Sequence, residues 1–217
     1  MTLRVWLFVW VAAGIAAGFL WAPVVPVLED TTRVFYFHFP AAIITPVALA
    51  WSMLHSALYL WRRDLANDDH AAAAAELGLL FCVAATVSGS IWAHSMWGSY
   101  WNWDPRETSI FFVLLLYGAY LALRASIEDP ARRARLSAVY SCVAFVPGLF
   151  LIFVVPRIYF SLHPDPLLNS RGKADMDGRI MACAVALVLG FGALFFWMLS
   201  LRVRLGRVER ARESVAS

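Results

Sequence analysis

The sequence predicts an all-α polytopic membrane protein, and three observations carry that expectation. Of the 217 residues, 61% are hydrophobic and the mean hydropathy is +0.67, whereas a soluble domain is about half apolar. Only 15% of the residues are charged, and they fall in short runs. Between those runs lie six apolar segments, each near the roughly 20 residues that span a bilayer as a helix. The net charge of +3 is small; it serves for orientation and gives no reason to expect nucleic acid as a partner.

The first segment runs from about Val5 to Val27. It is too long for a signal-peptide core and lacks a clear cleavage site, so it reads as a spanning helix frayed at Pro23 and Pro26. After Glu29 and Asp30 the second runs from about Val34 to Trp61. A polar, alanine-rich loop with Arg62, Arg63, Asp64, Asp68 and Asp69 follows. The third segment covers about Leu77 to Met96 and the fourth about Pro105 to Leu123. A charged loop, Arg124 to Arg135, leads to the fifth, about Leu136 to Pro156. A long polar connection, Arg157 to Arg179, precedes the sixth segment, about Ile180 to Leu201, and a basic tail closes the chain. With no internal repeat and no soluble region, residues 1–217 read as one integral membrane domain.

Lys and Arg concentrate in cytoplasmic loops. Twelve of the 18 basic residues fall on one side of this layout, including Arg4, Arg62, Arg63, Arg124 and the arginines of the tail. That bias places both termini in the cytoplasm. It places the connection between the third and fourth segments outside.

That outer connection is the aromatic stretch Trp97-Gly98-Ser99-Tyr100-Trp101-Asn102-Trp103-Asp104-Pro105-Arg106-Glu107-Thr108. If residues 97–104 are helical, Trp97, Tyr100, Trp101 and Asp104 share one face. Asp104 then reads as an N-cap, Pro105 as the first helical residue, and Glu107 as the N3 carboxylate reaching back. Trp and Tyr also form belts at any membrane interface. A belt needs one or two rings per helix end, and this stretch carries four with a charged cap. Such a density suits a flat, apolar, π-rich ligand.

Three histidines sort to the outer side: His38 about a turn into the second segment, His94 just before Trp97, and His163 in the connection after the fifth segment. His55 lies 17 residues past His38, roughly 25 Å along a helix at ~1.5 Å per residue, so it belongs near the inner face. It reads as packing or an interhelical hydrogen bond, and His70 as solvated in a cytoplasmic loop. Neutral imidazole ligates haem iron axially, and two histidines from different segments can clamp one iron. Arg33 and Arg106 are suitably placed to hold carboxylates such as the propionates. His94 has the right depth but would be one ligand too many. Cys82, Cys142 and Cys183 stand alone in apolar segments, with no C-x-x-C spacing, and read as small buried hydrophobes.

These residues resemble the haem-handling proteins of cytochrome c maturation defined by a tryptophan-rich "WWD" signature, and within them the six-helix CcmC family. That family's W-G-x-W-W-x-W-D-x-R-L-T pattern falls on Trp97 to Thr108, and its Arg, then His-x-Pro-Ala-Ala pattern on Arg33, His38, Pro40, Ala41 and Ala42. The family's second histidine corresponds to His163. The resemblance implies a bacterial inner-membrane protein that binds haem b non-covalently and transiently. His38 and His163 would be its axial ligands, and Trp97, Tyr100, Trp101, Trp103 and Asp104 the haem platform. Arg33 and Arg106 would help hold or hand over the haem. It further implies delivery to the periplasmic haem chaperone CcmE, alongside CcmA, CcmB and CcmD. No P-loop occurs in this chain, so ATP hydrolysis would be a partner's, and no catalytic residue set is expected. Tyr100 in place of Trp, with Pro105 and Glu107, is closer to the sister group CcsA, whose members attach haem to apocytochrome with a CcsB partner. A third reading, a di-haem electron-transfer subunit, needs paired histidines at both depths, and His55 has no evident mate.

Overall fold

The computed structural model describes residues 2–26, 28–163 and 176–216. Among them every regular element is helical and there is no strand. The order is α1 (Leu3–Leu20), a 3₁₀ turn (Asp30–Val34), α2 (Phe35–Arg62), α3 (Leu65–Trp97), α4 (Pro105–Ala125), α5 (Pro130–Leu149), a π-helical segment (Phe150–Val154), α6 (Val155–Ile158) and α7 (Gly178–Ala216). Five stretches are long and apolar enough to cross a membrane: Asp30–Arg62, Leu65–Trp97, Pro105–Ala125, Pro130–Ile158 and Gly178–Val208. Helix α1 is equally apolar in character but shorter. Its expected end, Val27, lies outside the described residues, as does most of the connection from Arg157 to Arg179.

The polar stretches are more helical than their composition suggests. Helix α2 ends where Arg63 takes a left-handed conformation (φ 58°), and Asp64 caps α3 at once by accepting from Ala66 N at 2.9 Å. The loop expected through Asp68 and Asp69 is therefore the opening turns of α3. Its alanine run favours helix, and its carboxylates are neutralised across helices. Arg124, near the end of α4, grips Asp68 with both terminal nitrogens at 2.7 and 2.9 Å. Arg202 of α7 holds Glu76 at 2.7 and 3.2 Å. The charged loop expected from Arg124 to Arg135 shrinks in the same way. Arg124 is helical, and Asp129 caps α5 by accepting from Arg132 N, with Pro130 at the first helical position. The basic tail continues as helix to Ala216.

Helices α2 and α3 form the most extensive pair. Their seam is built from small residues, Ala41, Ala48, Ala73, Ala74 and Ala85, interleaved with Ile44, Leu77 and Phe81, and is covered by Phe195, Leu199 and Val203 of α7. Small residues let spanning helices approach closely where lipid offers no hydrophobic drive. A Cβ on Gly78 would stand 2.8 Å from Leu49 Cδ2. Val113, Tyr117 and Tyr120 bring α4 against Leu49, Ala75 and Cys82. Tyr36, Cys183 and Leu187 join α2 to α7 beside Ala22. Cys82 and Cys183 are thus packing residues, as expected.

The Asp68–Arg124 pair is 8% and 15% exposed at its two side chains. Removing one partner leaves a buried uncompensated charge. Arg124→Ala is expected to cost about 3–5 kcal/mol, and the double replacement Asp68→Leu with Arg124→Leu to recover most of it. Unfolding in detergent, followed by circular dichroism, checks both.

Candidate functional site

The site forms where α3 gives way to α4 and where the chain leaves α6. Helix α3 stops at Trp97 because Gly98 adopts φ 74°, a left-handed C-cap whose N–H donates to His94 O at 2.9 Å. The single helical face expected for Trp97, Tyr100, Trp101 and Asp104 therefore does not form. Residues 98–104 instead make a compact turn, with Ser99 Oγ donating to Trp101 O at 2.9 Å and Trp103 held at φ 55°. Helix α4 restarts as the sequence predicts. Asp104 accepts from Arg106 N at 2.9 Å, Pro105 takes the first position, and Glu107 Oε2 accepts from the N–H groups of Asn102 and Asp104 at 2.7 and 3.3 Å. Pro105 and Glu107, which set this chain apart from the resembling pattern, are thus capping residues.

Asp104 does more than cap. It is 6% exposed, and its carboxylate also accepts from Ser161 Oγ at 2.9 Å and Leu162 N at 2.7 Å. Those bonds tie the segment after α6 to the start of α4. The π-helical turn before α6 lies between Pro147 and Pro156, which remove two N–H donors and disturb the ordinary ladder.

That tie delivers His163 to His38. The two imidazole centroids lie 6.2 Å apart with 38° between ring planes. His38 Nδ1 is 2.9 Å from Ala85 O and 3.3 Å from Ser88 Oγ. A carbonyl only accepts, so Nδ1 carries the proton and Nε2 keeps its lone pair. Trp92 packs on His163 with centroids at 5.5 Å, and Trp97 meets Trp92 edge-on at 5.0 Å. Arg106 lies within electrostatic reach of His38.

The other expected site residues are placed differently. Tyr100 stacks on His94 at 4.1 Å and 16°, which gives His94 a packing partner. Trp101 and Trp103 meet edge-on at 5.7 Å and both pack against Phe111. Arg33 donates from Nη1 to Gly18 O and Ala22 O, at the C-terminal end of α1, and lies over the Phe19 ring. A cation there offsets the negative end of the helix.

At the opposite end of α2, His55 Nδ1 is 3.1 Å from Asn67 Oδ1, the interhelical hydrogen bond expected. His70 departs from expectation: it is a half-buried residue of α3, stacked on His55 at 4.7 Å and 17°. The helical start of α3 brings it there, so His55 does have a mate.

Sequence reasoning missed Trp92 and Gly89. Trp92 was hidden inside an apolar segment. Gly89 lies one turn beyond Ala85, and a Cβ added to it would stand 3.0 Å from His38 Cε1 and 3.2 Å from Nδ1. The small residues Ala85, Ser88 and Gly89, spaced as one helix face, are the available signal.

A family model, CcmC, described as "Heme exporter protein C", matches residues 1–216. The chain belongs to this family. Among proteins of that printed name, the one from Rhodobacter capsulatus is 31% identical over 191 residues, covering 88% of this chain and 79% of its own. That of Paracoccus denitrificans is 31% identical over 204 residues, covering 90% and 84%. That of Escherichia coli K12 is 31% identical over 209 residues, covering 92% and 83%. Membership makes the described geometry that of a heme exporter protein C, with the two histidines from separate segments meeting at one end.

Gly89→Ala forces a methyl group against His38 and is expected to cost about 1–3 kcal/mol. Gly118, in α4, has open space around its Cβ position, so Gly118→Ala is expected to stabilise by up to about 1 kcal/mol through helix propensity. Thermal unfolding of the two variants side by side reads the difference.

Proposed function

We propose that this protein binds haem b, non-covalently and transiently, at the outer face of the bacterial inner membrane and passes it on for cytochrome c maturation. The observation that carries the reading is the His38–His163 pair. With metal–imidazole bonds of roughly 2 Å, two rings facing one iron from opposite sides stand about 6 Å apart, and these stand at 6.2 Å. The fixed tautomer of His38 leaves Nε2 as the ligating nitrogen. Trp92 and Trp97 supply the adjoining aromatic wall. Arg106 is the guanidinium placed to neutralise a propionate; Arg33 serves instead to hold α1.

In this reading residues 1–217 form one integral domain of six spans, α1 included, with residues 97–108 as its haem-handling segment and both termini cytoplasmic. The recipient is the periplasmic chaperone CcmE, and the ABC transporter CcmA and CcmB completes the assembly with CcmD, any ATP hydrolysis being the transporter's. The protein positions a group whose chemistry is its own, so it is a carrier rather than an enzyme.

The inner histidines do not support a di-haem electron-transfer subunit. Imidazole lone pairs lie in the ring plane, and rings stacked at 4.7 Å and 17° present faces, not nitrogens, to each other. Tyr100, Pro105 and Glu107 find local roles in stacking and capping, so they add no weight to a CcsA-like synthetase component.

Purified wild type is expected to show a low-spin haem spectrum, converted to high spin or lost in His38→Ala and in His163→Ala, and unchanged in His70→Ala. Haem indifferent to both outer substitutions overturns the ligand pair; wild type that takes up no supplied haem overturns the function. Loss of haem on supplying CcmE, and not on supplying a c-type apoprotein, checks the direction of transfer.

A further inference from the structure

We infer that Asp104 is a positioning residue for His163, acting through a hydrogen-bonded latch to Ser161 and Leu162 rather than through contact with haem; the spectroscopic part of this inference rests on the ligand reading above. Asp104 accepts three hydrogen bonds from two parts of the chain. Oδ1 takes Arg106 N–H and Ser161 Oγ–H, both at 2.9 Å, and Oδ2 takes Leu162 N–H at 2.7 Å. Ser161 Oγ in turn accepts from His163 N–H at 3.1 Å. The backbone on the N-terminal side of His163 is thus pinned at two consecutive points, and His163's own N–H is pinned through the serine. Asp104 is 6% exposed as a residue, so these charge-assisted bonds operate largely away from water, where they are strongest.

The latch joins residues 57 and 58 positions apart in sequence. On one side is the rigid start of α4, whose capping box fixes Asp104 and which also carries Arg106. On the other is a segment of no regular structure, 159–163. His163 also packs against the rings of His38 and Trp92, and the directional hydrogen bonds of the latch add to that packing a constraint on its backbone. The acidic residue of the tryptophan-rich stretch therefore sets where the second imidazole stands.

Asp104→Asn separates the two duties of this side chain. Asn is as good an N-cap as Asp, so α4 keeps its start. Its amide, however, presents one acceptor and one donor where the carboxylate presents two acceptors. An N–H group then faces either Leu162 N–H or the Arg106 and Ser161 donors, and the latch loses its complementarity. Two readouts judge this. The first needs no haem: spin labels at Leu162→Cys and Ile91→Cys, both half-exposed positions, are placed in a background with Cys82, Cys142 and Cys183 replaced by alanine. A narrow distance distribution with Asp104 present, broadened by Asp104→Asn, is expected. The second is the haem spectrum, where Asp104→Asn is expected to lose the low-spin bands as His163→Ala does, and added imidazole to restore them.

A distance distribution unchanged by Asp104→Asn overturns the latch. A broadened distribution with the low-spin spectrum intact overturns its bearing on His163. A high-spin shift with an unchanged distribution overturns the inference in favour of direct action on haem. If His163→Ala itself keeps the wild-type spectrum, the ligand reading fails, and the label distances alone decide whether the latch exists. Should Asp104→Asn not accumulate, Ser161→Ala carries the same readouts with the α4 cap untouched, and the same outcomes apply to it.

Discussion

The close approach of α2 and α3 is the constraint on which the rest of the structure depends. In a bilayer two helices gain little by hiding apolar side chains from each other, so contact is won by removing bulk. The alanines along this seam do that, and Ala85 and Gly89 extend it to the aromatic end. There the α3 backbone comes near enough for the Ala85 carbonyl to accept from His38. That hydrogen bond selects the tautomer, so a packing decision becomes a chemical one. The same seam places His70 over His55 at the other end. One helix pair therefore carries the His55–His70 cluster whole and fixes His38 in the other, and the two clusters differ in what their geometry permits.

Those two clusters show why ring proximity alone is a poor guide to ligation. His38 and His163 stand apart at a spacing that fits one ion between them, while His55 and His70 are stacked face to face. Stacking satisfies the apolar faces of the rings and turns the nitrogens outward, where His55 uses one on Asn67. The difference follows from what holds each ring: a carbonyl and a tethered loop segment for His38 and His163, two antiparallel helices for His55 and His70.

Much of this was legible in the sequence. Asp104, Pro105 and Glu107 announce a helix start, because capping depends on local spacing alone. His38 and His163 were assignable to one side because apolar lengths and the arginine bias locate depth. What was not legible depended on partners distant in the chain. Asp68 and Glu76 look like loop residues until Arg124 and Arg202 neutralise them. His70 looks solvated until those charges are paired and α3 begins early. Arg33 looked free for a ligand, because nothing local reveals the open carbonyls at the end of α1. Residues 97–104 carry helical spacing, but one left-handed glycine breaks the period.

Trp103 carries a consequence of its own. A bulky residue held at φ 55° sits in a conformation that costs about 1–3 kcal/mol. It is held there from both sides: its carbonyl by Thr108 Oγ1 at 3.1 Å, and the flanking N–H groups of Asn102 and Asp104 by Glu107. The strain of that turn is therefore carried by hydrogen bonds from the first turn of α4, so the indole's place is fixed by the helix start and not by the aromatic stretch alone.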